Sequence, residues 1–295
     1  MLLPQFACST DAEPTKLKIA ASTTQIADFA KKIGGDDIVV FSVLGPGADP
    51  HTYQPTPGDM KKVSQSDICF ENGLHLEGKD WMRTLCTDAK KPVITTTKGV
   101  QPLLIESEGH KISDPHAWFS PVNVAKYVNN ITQALIEIRP SLKSNFSARA
   151  KLFLEELRVL DQWLKELFAQ IPPDKRVLIT SHDAFNYFCN IYKFNAKYNY
   201  LSVAPVGWST GAEVGAGMTP ARRQQVISSI KQFGVKAIFV ETSVNPKLVR
   251  SIAKDAGVKI GGVLYSDSMG EAGSAGESYL GMMTENALTI VNALK

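Results

Sequence analysis

The sequence predicts an α/β fold of two lobes with mainly parallel sheets, joined by one long connecting α-helix. Short β-branched runs alternate with amphipathic stretches in residues 16–140 and again in 172–295, the pattern of repeated β-α-β units. Between these halves runs an unbroken helical stripe, with Pro140 before it and Pro172-Pro173 after it. The chain has 295 residues, 44% hydrophobic and 21% charged, about twice the usual single-domain size and with enough apolar material for real cores.

Taken in order, residues 1–15 read as a polar N-terminal tether and 16–140 as an N-terminal α/β lobe. Leu17–Ala21 reads as a strand, and Ile26, Phe29, Ala30 and Ile33 as one helix face, with Thr24 as N-cap and Gly34 just past the end. Ile38–Leu44 is a strand, Asp59–Gln65 a short helix, Asp67–Phe70 a strand, Lys79–Ala89 a helix and Pro92–Thr95 a strand. Val124, Tyr127, Val128, Ile131, Leu135 and Ile138 line a helix that stops at Pro140. The connector, 141–171, carries Phe146, Phe153, Leu157, Leu164 and Phe168 on one stripe and spans about 45 Å.

In the C-terminal lobe, 172–295, Arg176–Thr180 reads as a strand, followed by a helix through Phe185, Phe188 and Tyr192. Thr219-Pro220 starts a helix ended by Gly234, Lys236–Val240 is a strand, and Asn245-Pro246 starts a helix ended by Gly257. Val258–Leu264 is a strand and Glu277–Leu294 the last helix.

Composition excludes several functions. The 32 basic and 29 acidic residues leave a net charge of +3 and no Lys/Arg block, so no nucleic-acid partner is expected. No apolar run approaches the roughly 18 residues of a membrane-spanning helix. The four cysteines, Cys8, Cys69, Cys86 and Cys189, form no C-x-x-C pair, so a zinc ribbon or thioredoxin-type centre is not expected. Cys69 and Cys86 suit either a disulfide or two buried thiols. Gly73-Leu74-His75-Leu76-Glu77-Gly78-Lys79-Asp80 mimics a phosphate loop, but Asp80 replaces the magnesium-binding hydroxyl and bulky residues intrude.

Candidate chemistry lies at loops that follow strands. His51 ends Asp49-Pro50-His51, His116 ends Asp114-Pro115-His116, His182 lies in Ser181-His182-Asp183, and Asp267 sits between Ser266 and Ser268. In open parallel sheets ligands bind outside the carboxyl ends of strands, so these loops can converge. Separations of 65, 66 and 85 residues exclude a local finger motif. Two of the four precede the connector and two follow it, which places a site between the lobes. Each residue also has a plainer reading, as a surface or capping residue; the repeated Asp-Pro-His, whose proline stiffens the loop, favours a preformed metal cage. His75 reads as a solvated turn and His110 as part of a polar surface loop. No G-x-S-x-G elbow or H-E-x-x-H helix is present. A mononuclear metal-dependent hydrolase remains the alternative, with Glu241 as the nearest candidate base and, equally, a structural strand-end acid.

These residues resemble a known family. Pro50-His51-Thr52-Tyr53-Gln54-Pro55-Thr56-Pro57, Ser66-Asp67 leading to Asn72-Gly73, Asp114-Pro115-His116-Ala117-Trp118, Ser181-His182-Asp183-Ala184-Phe185 and Tyr265-Ser266-Asp267-Ser268 together resemble the metal-binding receptors of bacterial zinc, manganese or iron ABC importers. The resemblance implies two lobes bridged by a long helix, and His51, His116, His182 and Asp267 as ligands of one divalent Zn, Mn or Fe ion carried as cargo. It implies an extracytoplasmic receptor, not an enzyme, acting as a monomer with an ABC permease in the membrane. Cys8, before Ser9-Thr10-Asp11-Ala12, resembles the lipidated cysteine of a bacterial lipoprotein, although Gln5 replaces the usual Leu. The stretch from Pro102 to Ser113 holds only His110, unlike the histidine-rich loop of zinc-dedicated members. His182 stands where many manganese-dedicated members have Glu, and Trp208–Gly217 is richer in glycine than expected.

Three expectations follow. Metal affinity should fall as pH drops through 6–7 if the histidines titrate normally. Asp114 or Asp183 is a candidate to orient an imidazole. The continuous connector should keep lobe movements small.

Overall fold

A computed structural model describes residues 15–107, 110–203, 220–232 and 234–295; Cys8 and Trp208–Gly217 lie outside them. The first sheet has four parallel strands in the order β2-β1-β3-β4: β1 (Leu17–Ala21), β2 (Ile38–Ser42), β3 (Ile68–Glu71) and β4 (Val93–Thr95). Alternate residues of β1 feed two cores. Leu17, Ile19 and Ala21 join the main core, while Ala20 joins a smaller cluster on the opposite face with Cys69, Trp81, Met82 and Leu85. Helices therefore cover both faces, as a parallel sheet requires.

α1 (Thr24–Gly34) starts one residue earlier than the capping pattern suggests, because the Thr23 hydroxyl, not Thr24, accepts from the Ile26 amide. α2 (Pro57–Ser64) opens on a capping box between Thr56 and Asp59, with proline at its first turn. α3 (Trp81–Asp88) is joined to β3 by a Cys69–Cys86 disulfide with Cα atoms 6.5 Å apart. Cys189 is free and buried. The stretch before His116, read from sequence as a polar loop, forms an antiparallel hairpin of β5 (Leu104–Ser107) and β6 (His110–Ser113). Its polar residues lack the β-branched alternation that marks a strand.

α4 (Pro121–Ile138) and the long α5 (Lys143–Ala169) pack together, and the buried stripe of α5 carries Phe146, Phe153, Leu157, Leu164 and Phe168. α5 therefore runs about 40 Å. Its stripe lies in one continuous core that also takes in α1, α6 (Asn186–Tyr192) and α9 (Tyr279–Leu294). The rest of the C-terminal half forms a separate cluster around α7 (Pro220–Gln232), β7 (Ala237–Glu241), α8 (Lys247–Ala256) and the partly buried start of β8 (Lys259–Leu264).

β7 and β8 pair in parallel. Arg176–Thr180 is not a regular strand: its one ladder contact among the described residues is a parallel bridge from Ile179 to Val203, while the Phe239 amide donates to Ile179 O at 2.9 Å. Its buried apolar run still lies beside β7, but ladder pairing is too sparse for a strand. No helix among the described residues is long and apolar enough to cross a membrane.

Candidate metal centre

Each of the four loops is held by its own set of hydrogen bonds, local for the two Asp-Pro-His turns and long-range for the other two. In Asp49-Pro50-His51 and Asp114-Pro115-His116 the aspartate side chain accepts the amide two residues on, at 2.8 and 2.9 Å, so the repeated tripeptide makes the same turn twice. The Thr52 hydroxyl donates to the second oxygen of Asp49 at 2.9 Å. At the second turn Asp114 Oδ1 also meets the His116 ring Nδ1 at 2.8 Å. Asp114 is itself fixed from α6, where Asn186 Nδ2 donates to its Oδ2 and the Tyr187 hydroxyl to its carbonyl, both at 2.9 Å.

His182 is governed by Glu241 at the end of β7. The His182 amide donates to Glu241 Oε1 at 2.9 Å, and ring Nδ1 lies 2.6 Å from Oε2. The Asp267 loop follows β8 in the chain yet is tied to the other half of the molecule. Gln25 Nε2 and Trp118 Nε1 donate to Ser266 O at 3.0 and 3.2 Å. The Met269 amide donates to Thr24 Oγ1, and the Gly47 amide to Ser268 Oγ, both at 2.8 Å.

These loops bring His51, His116, His182 and Asp267 together, with one donor atom from each within 4.8 Å of the others. His51 Nε2 is 3.3 Å from His116 Nε2, which is 3.4 Å from Asp267 Oδ1; His182 Nε2 is 3.2 Å from Asp267 Oδ2. Ligands about 2.1 Å from a tetrahedral ion stand about 3.4 Å apart, so the spacing fits a single cation. His116, His182 and Asp267 are buried and His51 is half-buried. His182 Nδ1 and Nε2, Glu241 Oε2 and Asp267 Oδ1 are shielded from solvent without a well-aligned hydrogen bond, and a cation bound at Nε2 and Oδ1 would compensate that pair. Three imidazoles and a carboxylate without a thiolate suit Zn, Mn, Fe or Ni.

The electrostatics divide the histidines. Burial lowers the His51 pKa to about 4, with Asp267 opposing and the other two histidines reinforcing the shift. Burial also disfavours charge on His116, but Asp114 and Asp267 outweigh it and raise the pKa to about 9. His182 follows the same logic: burial opposes charge, and Asp267 with Glu241 overcomes it, so the pKa is raised well above the usual value. Burial disfavours Asp267 as an anion, yet His182 and His116 hold it well below the usual carboxylate range. The sequence-based range of pH 6–7 for ligand titration is thus replaced by one low and two high values. The carboxylate partners cause the difference.

The sequence of the periplasmic zinc-uptake complex component A family matches this chain over residues 19–293. The chain belongs to this family. Among relatives, it is 37% identical to the manganese-binding lipoprotein MntA of Bacillus subtilis (strain 168), covering 98% of this chain and 94% of that one. It is 32% identical to the manganese ABC transporter substrate-binding lipoprotein PsaA of Streptococcus pneumoniae, covering 100% and 95%. The fold is similar to that of the periplasmic zinc-binding protein TroA of Treponema pallidum, with a TM-score of 0.85, 30% identity, and 95% and 99% of the two chains covered. It also resembles a manganese-bound periplasmic metal-binding protein of Candidatus Liberibacter asiaticus, with a TM-score of 0.80, 26% identity, and 95% and 100% covered.

His75 and His110 are exposed and outside the cluster, in keeping with their reading as surface residues. Of the acids near the ligand loops, Asp114 contacts the His116 ring, and Glu241 lies at the His182 ring. The strand-end position of Glu241, after four buried apolar residues, was the available signal. Nothing in the sequence marked Gln25 or Trp118 as supports of the Asp267 loop, since both contacts cross more than a hundred residues.

Proposed function

We propose that the chain is the extracytoplasmic receptor of a metal importer, which captures one divalent transition-metal ion between its lobes and delivers it to an ABC permease. Convergence of His51, His116, His182 and Asp267 carries this reading, and we assign these four residues as the ligands. Membership of the zinc-uptake family and the manganese relatives support cargo of the Zn/Mn class. The lipoprotein relatives support attachment outside the cytoplasm, for which we propose Cys8 as the lipid-bearing residue.

Asp114 and Glu241 orient two of the imidazoles from behind, at Nδ1, leaving Nε2 for the ion. A hydrolase would need a free base on the metal-facing side. Glu241, the candidate for that role, instead faces the back of the His182 ring, which favours a non-catalytic receptor. We further propose that the receptor acts as a monomer without a nucleic-acid partner. Closure is expected to involve small movements, because α5 lies in a core shared by both halves of the chain.

The test is equilibrium dialysis of metal-stripped protein against Mn²⁺ and Zn²⁺, with ester, amide and phosphate substrates assayed alongside. One ion per chain without turnover is expected. Sustained metal-dependent turnover would replace the receptor with the hydrolase.

A further inference from the structure

The segment between β3 and α3 supplies no ligand, yet two ligand loops rest against it. Asn72 Nδ2 donates to Pro115 O at 3.0 Å, next to His116, while Asn72 Oδ1 accepts from the Tyr127 hydroxyl at 2.7 Å. Trp81 Nε1 donates to Pro50 O at 2.9 Å, next to His51, and the Trp81 ring lies 5.1 Å from that of Tyr53 in the same loop. At Gly78 the two backbone segments approach so closely that a Cβ would clash with His51 O.

What shapes this segment is a buried acid. Glu77 Oε1 accepts from the Asn72 amide at 2.6 Å and the Ser22 hydroxyl at 2.7 Å, and Oε2 accepts from the Gly73 amide at 3.0 Å. Around it the backbone turns left-handed at Gly73, Leu74, His75, Gly78 and Asp80, with φ between 50° and 80°. Leu74, His75 and Asp80 adopt that conformation against their intrinsic preference, so something must hold them. The carboxylate does so by gathering two consecutive amides and a hydroxyl from the end of β1.

We propose that Glu77 is a positioning residue for the metal site, its carboxylate folding Asn72–Trp81 into a platform that sets His51 and His116 relative to each other. This rests on the ligand assignment above and extends it to a residue that never touches the ion. His182 and Asp267 take their support from Glu241, Gln25 and Trp118, so the platform acts on half of the cage. A glutamine at 77 keeps the volume but turns an acceptor into a donor, so it faces at least one of the three present donors with the wrong group.

The experiment compares the full chain with Glu77→Gln, Ser22→Ala, which removes one donor, and Phe146→Leu, a core change on α5 that lowers stability away from this segment. Mn²⁺ affinity and the imidazole ¹⁵N resonances of the metal-free proteins are measured at pH 8, where Glu77 is mainly ionised. Expected are a 10- to 100-fold loss of affinity in Glu77→Gln, a smaller loss in Ser22→Ala and none in Phe146→Leu. In both site variants the His51 and His116 resonances move while those of His182 stay. Should Glu77→Gln fail to fold, Ser22→Ala decides alone. Affinity within twofold of the parent, or equal displacement of all three histidines, overturns the proposal. If the parent itself binds no ion at the four residues, the ligand assignment fails, while the resonances still report on the platform.

Discussion

Metal capture should expel two protons per ion, and the numbers come directly from the cluster. At pH 7.5 the metal-free site has His116 protonated, its pKa being about 9, and His182 protonated, its pKa being raised well above the usual value; His51, at about 4, is neutral. Asp267 is ionised. A histidine nitrogen binds a metal only when deprotonated. One divalent ion therefore replaces two protons, and the charge facing Asp114, Glu241 and Asp267 is unchanged. The apparent association constant should rise about 100-fold per pH unit from roughly pH 6 towards 9, where ordinary histidines would give a flat profile above 7. Titration calorimetry of metal-stripped protein, repeated at one pH in buffers of different ionisation enthalpy, counts the protons directly. Release near two at pH 7.5 is the predicted result. Release near zero, with affinity already constant at pH 7.5, would show that Asp114 and Glu241 do not hold the imidazoles in their charged forms and would refute the reasoning.

Glu241→Gln should weaken metal binding by about 10- to 100-fold, read by competition with a fluorescent chelator, because it removes the anion at His182 Nδ1. Burial pushes the Glu77 pKa up to about 7, against hydrogen bonds from Ser22, Asn72 and Gly73 that favour its charged form. A raised carboxyl pKa means that the native state holds the proton more tightly, so its contribution to stability is full below about pH 4.5 and is lost as pH rises through 7. Relative to Glu77→Gln, the parent should lose on the order of 3 kcal/mol between pH 4.5 and 8 in denaturant titrations; a constant difference would contradict this. Removing the Cys69–Cys86 bridge, which spans 17 residues, should lower stability by about 3 kcal/mol in urea titrations, with metal stoichiometry kept at one.

Much of this was legible from residue patterns. The strands of the first sheet are short, largely apolar runs, and breakers such as Pro140 and Pro172 bracket α5, so residue pattern located them. The Asp-Pro-His turns were visible because their stabilising bonds span only two residues. What escaped was non-local or polar. The hairpin before His116 has no apolar alternation, and Arg176–Thr180 reads as a strand although its ladder is nearly absent. The raised His182 pKa depends on Asp267 and Glu241, carboxylates 85 and 59 residues away, and spacing alone could not assign them. Glu77 was visible only as a residue that spoiled a phosphate loop; its three donors become apparent once the chain closes around it.

The central claim is that one cation is shared by His51, His116, His182 and Asp267. Crystals grown with Mn²⁺ and measured at the manganese absorption edge test it most directly. The account predicts a single strong anomalous peak among the three Nε2 atoms and the Asp267 carboxylate, and no such peak in Asp267→Ala. A peak at the exposed His75 or His110 instead, or one at the cluster that persists undiminished in Asp267→Ala, would contradict it.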